Sequence, residues 1–363
     1  MHLLPILLTA GAVFLLSMIA TRAAIMLANR LRFVDRPGAE AHKQQARAVP
    51  YGGGAAMGIA LAAGLLACHL LRSHIPGTDA GAPLDHGSLI PIYVGALVLL
   101  VLGLVDDRKP VPAGLKLAVQ AIVAGGVVWT ADLQVDSLQS QPWLAYGLAW
   151  VWMVLITNAF NLLDHADGLS ASVAIVSIVV LLSGALMAGD LQLAALWILL
   201  IAVLLGFLVW NLPPARVYMG DAGSLPLGFL IGAGTLSVTF WPSAAGGSSL
   251  AVLSPFIITA IPLFDATVVV VKRALAGKPI MVGDRNHISH RLTRLGLGSR
   301  TSLAVVVALQ IALAASALQL RFGDAITGIV IIAQDCSILI AVILLETLRD
   351  TPDTDGGGGS ARG

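Results

Sequence analysis

Charge is scarce in this chain. Asp, Glu, Lys and Arg make up 11% of its 363 residues, far below the roughly 25% of a soluble domain, and so little charge cannot cover a water-exposed surface. Cysteine is scarcer still. Cys68 and Cys336 both lie inside apolar runs, which excludes a disulfide framework or a cysteine metal knuckle and leaves two small buried hydrophobes. An excess of positive charge is also missing: the formal net charge is +1, which argues against a nucleic-acid surface. The amino terminus shows neither a basic leader nor a small-residue cleavage site, so LLPILLTAGAVFLLSMIA reads as a retained first span, not a signal peptide.

What the chain has is apolar length. Hydrophobic residues make up 57% of it, the mean hydropathy is +0.89, and no polar stretch reaches domain size. Segments long enough to cross roughly 30 Å of hydrocarbon fall near 3–27, 52–72, 89–105, 115–131, 143–160, 169–188, 191–210, 224–241, 250–271, 301–320 and 325–346. The expectation is an all-α polytopic membrane protein of about eleven transmembrane helices, with one transmembrane domain over residues 1–349. The Gly-rich end at 350–363 is expected to be a disordered cytoplasmic tail.

An odd number of spans puts the two termini on opposite sides. The odd-numbered gaps hold Arg30, Arg32, Arg36, Lys43 and Arg47, then Arg108 and Lys109, then Arg216, then a run from Lys272 to Arg300; the even-numbered gaps hold only Arg72 and Arg321. Basic residues collect on the cytoplasmic side, so the N-terminus is expected outside and the C-terminus in the cytoplasm. Four polar clusters then share the cytoplasmic face: LVDDRKP after the third span, NLLDHADGLS after the fifth, VYMGDAGSLPLG after the seventh and GDRNHISHRLTRLGLG after the ninth. Ionisable groups at a bilayer edge are costly unless solvated, paired or used.

Each cluster carries its own chemistry. Asp106 and Asp107 are adjacent, so on a helix they diverge by about 100° and cannot both face lipid; a solvated helix end is the competing reading. Asp164 and Asp167, three apart, share a face if their segment is helical, and two such carboxylates repel unless a cation or proton lies between them. Hard oxygen ligands favour Mg²⁺ or Mn²⁺. Asn158 and Asn161 extend the polar stripe one turn back, and a capped, water-exposed loop is the alternative. Asp221 stands between two glycines, where backbone amides can approach an anion, although Asp-Ala-Gly-Ser also makes an ordinary turn and cap. His287 and His290 raise the thought of zinc, but no cysteine is near and the flanking Arg285, Arg291 and Arg294 suit phosphate oxygens. A solvated basic loop is the alternative there. Together the clusters point to metal-assisted phosphoryl transfer.

Five stretches, VDRPGAEAHKQQARAVPYGGGAA, LVDDRKPVPAGLK, NAFNLLDHADGLS, WNLPPARVYMGDAGSLPLG and PLFDATVVVVKRALAGKPIMVGDRNHISHRL, occur in this order along nearly the whole chain. In them the chain resembles the polyprenyl-phosphate N-acetylhexosamine-1-phosphate transferases, and more distantly the phospho-N-acetylmuramoyl-pentapeptide transferases. The resemblance implies an enzyme of the bacterial inner membrane with its site on the cytoplasmic face. It would move a sugar 1-phosphate, GlcNAc-1-phosphate or that of another N-acetylhexosamine, from a UDP-sugar to polyprenyl (undecaprenyl) phosphate. UMP is released and Mg²⁺ or Mn²⁺ assists. A homodimer is left open, and no nucleic acid is involved.

The resemblance assigns Asp221 to the metal and Asp106 and Asp107 to the metal or to deprotonating the acceptor phosphate. Asp164 and Asp167, with Asn161 and Asn211, would hold the nucleotide. His287, His290 and Arg291 would bind the diphosphate, and Lys43 would join the substrate-binding set. Two positions depart from the pattern. His165 stands where Asp-Gly-x-Asp-Gly has its first glycine, and Ser289 replaces the middle histidine of His-Ile-His-His. His165, about 100° from Asp164 on a helix, is expected to line the pocket's margin and tune the choice of UDP-sugar. NHISHRL lacks the histidine run and Phe-Glu of the muramoyl-pentapeptide branch, which favours the amino-sugar branch.

Two readings compete. An ion-coupled transporter calls for acids near mid-span and an internal repeat, whereas these acids stand at span ends, with Asp265 inside the ninth span as the exception. That aspartate is either paired in the bundle or marks a lipid-phosphate groove. A family member that has lost activity and serves as a binding scaffold is the other.

Overall fold

The computed structural model describes residues 4–35, 48–71, 89–138, 140–238, 249–277 and 287–347; Lys43 and the 350–363 tail lie outside them. The helices are α1 (Leu4–Arg30), α2 (Gly53–Leu70), α3 (Leu89–Arg108), α4 (Ala113–Thr130), α5 (Pro142–Leu163), α6 (Leu169–Ala188), α7 (Leu191–Asn211), α8 (Asp221–Ser237), α9 (Ser254–Ile258), α10 (Ala260–Leu275), α11 (Ile288–Arg294), α12 (Ser299–Phe322) and α13 (Ala325–Thr347). A two-residue antiparallel pair, β1 (Val34–Asp35) and β2 (Val49–Pro50), is the only sheet among the described residues. Large apolar side chains such as Ile122, Trp143 and Leu275 point outward, as expected where the solvent is lipid.

The fold is all-α and multi-pass. Among the described residues nine helices, α1 to α7 with α12 and α13, are long and apolar enough to cross a membrane; α9 and α10, bent by 73°, make a tenth if they are one span. The expected span at 224–241 is α8, whose 17 residues reach only about 25 Å at about 1.5 Å each, less than the hydrocarbon thickness.

Packing makes α8 the centre. Every residue from Ala222 to Thr235 is buried, with α3 and α5 against its flanks and α2 across its start. Helices in lipid gain little from hydrophobicity and associate by close packing of small residues. Gly103 shows this: a Cβ there would lie 2.3 Å from the backbone of Asp221 and Ala222. The end of α3 therefore touches the first turn of α8 backbone to backbone, and no larger residue fits. The start of α2 is tied to the same place, since Gly53 and Gly54 donate their N–H groups to the carbonyls of Tyr218 and Met219 at 3.1 and 3.0 Å.

The bend between α9 and α10 has a sequence cause. In a continuous helix the Ile258 carbonyl would accept from residue 262, which is proline and has no N–H. That carbonyl instead accepts from Gln310 Nε2 at 2.7 Å and Ser177 Oγ at 2.8 Å, while Gln310 Oε1 takes the Ile261 N–H at 3.3 Å. A polar pin from α12 and α6 thus satisfies a break that lipid could not. Replacing Gln310→Leu leaves one donor unpaired and weakens the bonding of the carbonyl, so it should lower unfolding stability by about 1–3 kcal/mol. Denaturation in mixed micelles checks this, with unchanged stability as the opposing result.

Candidate active site

The ends of α3, α5 and α7 and the starts of α4, α6 and α8 lie at one end of the bundle, and this brings three of the polar clusters together. Asp107, in the last turn of α3, accepts the N–H groups of Asp221 at 2.8 Å and Ala222 at 3.2 Å, capping α8 with a carboxylate where the helix dipole is positive. Gly220, at φ 68°, makes room: a Cβ there would come within 2.5 Å of Asp107 Oδ2. Asp106 turns the other way, where its Oδ1 accepts the Val111 N–H at 2.7 Å and its Oδ2 lies 3.3 Å from Lys116 Nζ.

Asp221 faces the same lysine. Its Oδ2 pairs with Lys116 Nζ, and its Oδ1 accepts from Asn161 Nδ2 at 2.8 Å, with Ser224 Oγ 2.9 Å from that amide. Asp164 accepts the Gly220 N–H and lies within reach of the charges of Asp221 and Asp107. Burial first, and then those two carboxylates, hold its own carboxyl well above the usual range.

The stretch from 164 to 168 is a turn, so the two aspartates do not share a helical face. Asp164 is the C-cap of α5, and Gly168 at φ 71° starts α6. The chain must reverse here, and a helix cannot. Asp167 accordingly turns aside: its Oδ2 accepts the Ala215 N–H at 2.9 Å, and burial raises its pKa. Asn211 is 4% exposed, with both ends of its amide used on backbone, accepting from Gly168 N at 2.9 Å and donating to Val217 O at 2.8 Å. It ties two loops together.

The fourth cluster forms the adjoining wall. Asp265 of α10, 0% exposed, takes His287 Nδ1 at 2.7 Å and the Ile288 N–H at 2.6 Å, so the mid-span acid is paired and anchors α11. Arg291 is turned inward, its Nη2 3.6 Å from Asp265 Oδ1 and its guanidinium 5.7 Å over the Phe264 ring. His165 joins this group. Its ring stacks on His287 at 4.0 Å and lies 5.5 Å from His290. Burial, then the neighbouring His287, depress its pKa to about 3, so the ring is neutral.

The chemistry of the donor set fits a hard divalent cation. Asp106 and Asp221 share the single ammonium of Lys116, and Asp107 and Asp164 stand beside Asp221, which leaves negative charge in excess. Lys116 Nζ also marks a point on which Asp106 and Asp221 converge. Mg²⁺ commonly takes one or two carboxylates, with phosphate and water completing its shell. The one trio of His, Cys, Asp or Glu among the described residues whose ligand atoms lie within 4.8 Å of one another is His165, Asp265 and His287. Near-parallel rings at 4.0 Å direct their in-plane lone pairs side by side, not at one centre, so that trio is a packed group. An apolar cavity of about 310 Å³ lined by Leu148, Trp152, Thr235 and Phe256 lies at the far ends of α5 and α8 and has no part in this site.

Several residues escaped sequence reasoning. Lys116 was legible as the only charge on α4; Tyr218, which stands edge-on to Tyr51 at 6.0 Å, carried no signal. Asp335 is a second mid-span acid, 6% exposed, accepting from Ser316 Oγ at 2.7 Å.

With this geometry the comparisons agree. Residues 89–239, which hold the acids around Lys116, match the family described as Glycosyl transferase family 4. A protein of Bacillus subtilis (strain 168) named "Probable undecaprenyl-phosphate N-acetylglucosaminyl 1-phosphate transferase" is 33% identical over 318 residues, 84% of this chain and 82% of that one. A Thermotoga maritima protein named undecaprenyl-phosphate alpha-N-acetylglucosaminyl 1-phosphate transferase is 27% identical, over 81% of this chain and 84% of its own. A Mycolicibacterium smegmatis protein named decaprenyl-phosphate N-acetylglucosaminephosphotransferase is 28% identical, over 82% and 79%. The chain belongs to the glycosyl transferase family 4 group of polyprenyl-phosphate N-acetylhexosamine-1-phosphate transferases, and it is a multi-pass membrane enzyme.

The raised pKa of Asp164 has a consequence for stability. A carboxyl whose folded pKa exceeds its unfolded value destabilises the fold at pH above both, and the penalty fades as pH falls toward the unfolded value near 4. In chelator, Asp164→Asn should therefore melt higher than the unsubstituted protein at pH 8, with the gap closing toward pH 4.5. Scanning fluorimetry across that range tests it; a variant that melts lower at pH 8 would contradict the crowding of charge.

Proposed function

We propose that this protein transfers N-acetylglucosamine 1-phosphate, or the 1-phosphate of another N-acetylhexosamine, from its UDP-sugar to a polyprenyl phosphate such as undecaprenyl phosphate, beginning a cell-envelope polysaccharide. The observation that carries the reading is the convergence of Asp106 and Asp221 on Lys116, with Asp107 and Asp164 beside Asp221, at one end of the bundle. The names of the Bacillus, Thermotoga and Mycolicibacterium relatives support the donor and acceptor.

An acceptor phosphate oxygen forms a bond to the phosphorus that bears the sugar, and the bond from that phosphorus to the bridging oxygen breaks, so UMP leaves with the electron pair. Both reactants are anions, and the task is to align them and neutralise charge. A bound Mg²⁺ or Mn²⁺, held by Asp221 with Asp106 and Asp107, would supply that neutralisation. Lys116, released from its carboxylates, gives a cation to the acceptor or donor phosphate. Asn161 orients Asp221. Asp107 holds the first amides of α8 in place, and Asp164 faces the nucleotide. His287, oriented by Asp265 through Nδ1, presents Nε2 to the diphosphate, and His290 stands beside it.

We also take all eleven apolar segments as spans, counting the α9–α10 pair as one and including the short α8, around which the bilayer thins to meet it; this puts the N-terminus outside, the C-terminus inside and the site on the cytoplasmic face of the bacterial inner membrane. The basic residues of the odd-numbered gaps support that orientation. In cells, on a Cys68- and Cys336-free background, an impermeant thiol reagent should label Ser140→Cys and spare Ser299→Cys; the reverse pattern would invert the topology.

Purified protein given UDP-GlcNAc, undecaprenyl phosphate and Mg²⁺ should release UMP, and Asp221→Asn should abolish release while remaining folded in detergent, because a neutral amide cannot replace the carboxylate. UMP release by the variant at the unsubstituted rate throughout a Mg²⁺ titration would remove Asp221 from the site.

A further inference from the structure

His165 leaves its turn toward α11, and both of its ring nitrogens are engaged. Nδ1 lies 2.9 Å from the Leu162 carbonyl, which can only accept, so Nδ1 carries the hydrogen. Nε2 of this neutral ring is then an acceptor, and Ser289 Oγ, at 2.7 Å, donates to it. His287 follows the same logic. Its Nδ1 donates to the Asp265 carboxylate at 2.7 Å, leaving Nε2 without a hydrogen-bond partner among the described residues.

One hydrogen bond is a hinge, about which an imidazole can still swing. The face of His287 is closed by His165, 4.0 Å away at an interplanar angle of 23°. His165 in turn is fixed by a carbonyl of α5 at one nitrogen and by a hydroxyl of α11 at the other. These two residues are also the positions where the chain departs from the family pattern, an imidazole standing at 165 in place of glycine and a hydroxyl at 289 in place of an imidazole. The departures touch each other.

The geometry points to His165 and Ser289 as one paired positioning unit: the Ser289 hydroxyl locks the His165 ring, and the face of that ring holds His287 so that Nε2 stays directed at the donor diphosphate. No hydrogen bond or ion pair among the described residues joins either one to Asp106 or Asp221, the carboxylates at Lys116. The pair replaces the expectation that His165 acts as a margin residue choosing among sugars. This inference rests on the transferase reading for its consequence in catalysis, though not for the contact itself.

The test is a double-mutant cycle of His165→Ala and Ser289→Ala on the full-length protein, read as UMP release from UDP-GlcNAc with undecaprenyl phosphate. Each single substitution should lower kcat about tenfold and leave KM for UDP-GlcNAc within about threefold, and the double variant should lose no more than His165→Ala alone. Losses that multiply in the double variant, or a raised KM at unchanged kcat, would overturn the pairing. A second readout needs no turnover: carbethoxylation of His287 by diethyl pyrocarbonate, followed by peptide mass spectrometry. Ser289→Ala removes a hydroxyl without opening space over His287, so faster modification of His287 in that variant is expected from a loosened ring, and an unchanged rate would overturn the inference. Should the unsubstituted protein release no UMP, the transferase reading fails by itself, while the labelling still decides whether the pair holds His287.

Discussion

The carboxylate of Asp107 accepts the first two amides of α8, and the rest of the site is arranged around that contact. A helix N-terminus leaves its first N–H groups unsatisfied and carries a partial positive charge, so a carboxylate there is doubly favoured. The same bond fixes Asp221, which is the first residue of α8, beside the last turn of α3. Gly103 and Gly220 allow it, the one by permitting backbone contact and the other by taking a positive φ against the carboxylate. With α3 and α8 locked in this way, Asp221 meets Lys116 from α4, Asn161 from α5 and Asp164 from the next turn.

Acids at the edge of an apolar bundle need partners, and each here has one. Asp106 has the Val111 amide and Lys116, Asp164 has the Gly220 amide, and Asp167 has the Ala215 amide. These bonds orient the carboxylates but cancel little of their charge, since backbone amides are neutral and one lysine serves the group. The residual negative field is what a divalent cation and its phosphate ligands would complete. The transporter reading loses ground for the same reason: the acids are grouped at one end, and the two mid-span aspartates are engaged, Asp265 by His287 and Asp335 by Ser316.

Much of this was legible in the sequence because lipid imposes strict rules. Apolar length marked the helices, and the polar clusters marked the end where the site lies. The reading failed where tertiary context decides. Asp164 and Asp167 looked like one helical face, yet the reversal between α5 and α6 breaks the helix and sends them to different amides. Asn211 and Arg291, read in the sequence as substrate-binding residues, also have partners inside the protein, one bridging two backbone segments and the other turned onto Asp265. Lys116 is the only charged residue of α4 and Asp265 the only acid of α10, and only the packing of these helices gives them partners. The contact between His165 and Ser289 joins residues 124 positions apart, a distance over which no local pattern speaks.

The central claim is that the carboxylates at the start of α8 form a divalent-cation site. Titrating purified protein with Mn²⁺ and following the six-line electron paramagnetic resonance signal of the free ion measures this without any substrate. The account predicts that the protein quenches about one equivalent of the signal, that Mg²⁺ competes for the same site, and that Asp221→Asn and Asp106→Asn each weaken binding by about tenfold or more, in line with the loss of a ligating carboxylate. Binding of equal strength in both variants would contradict it.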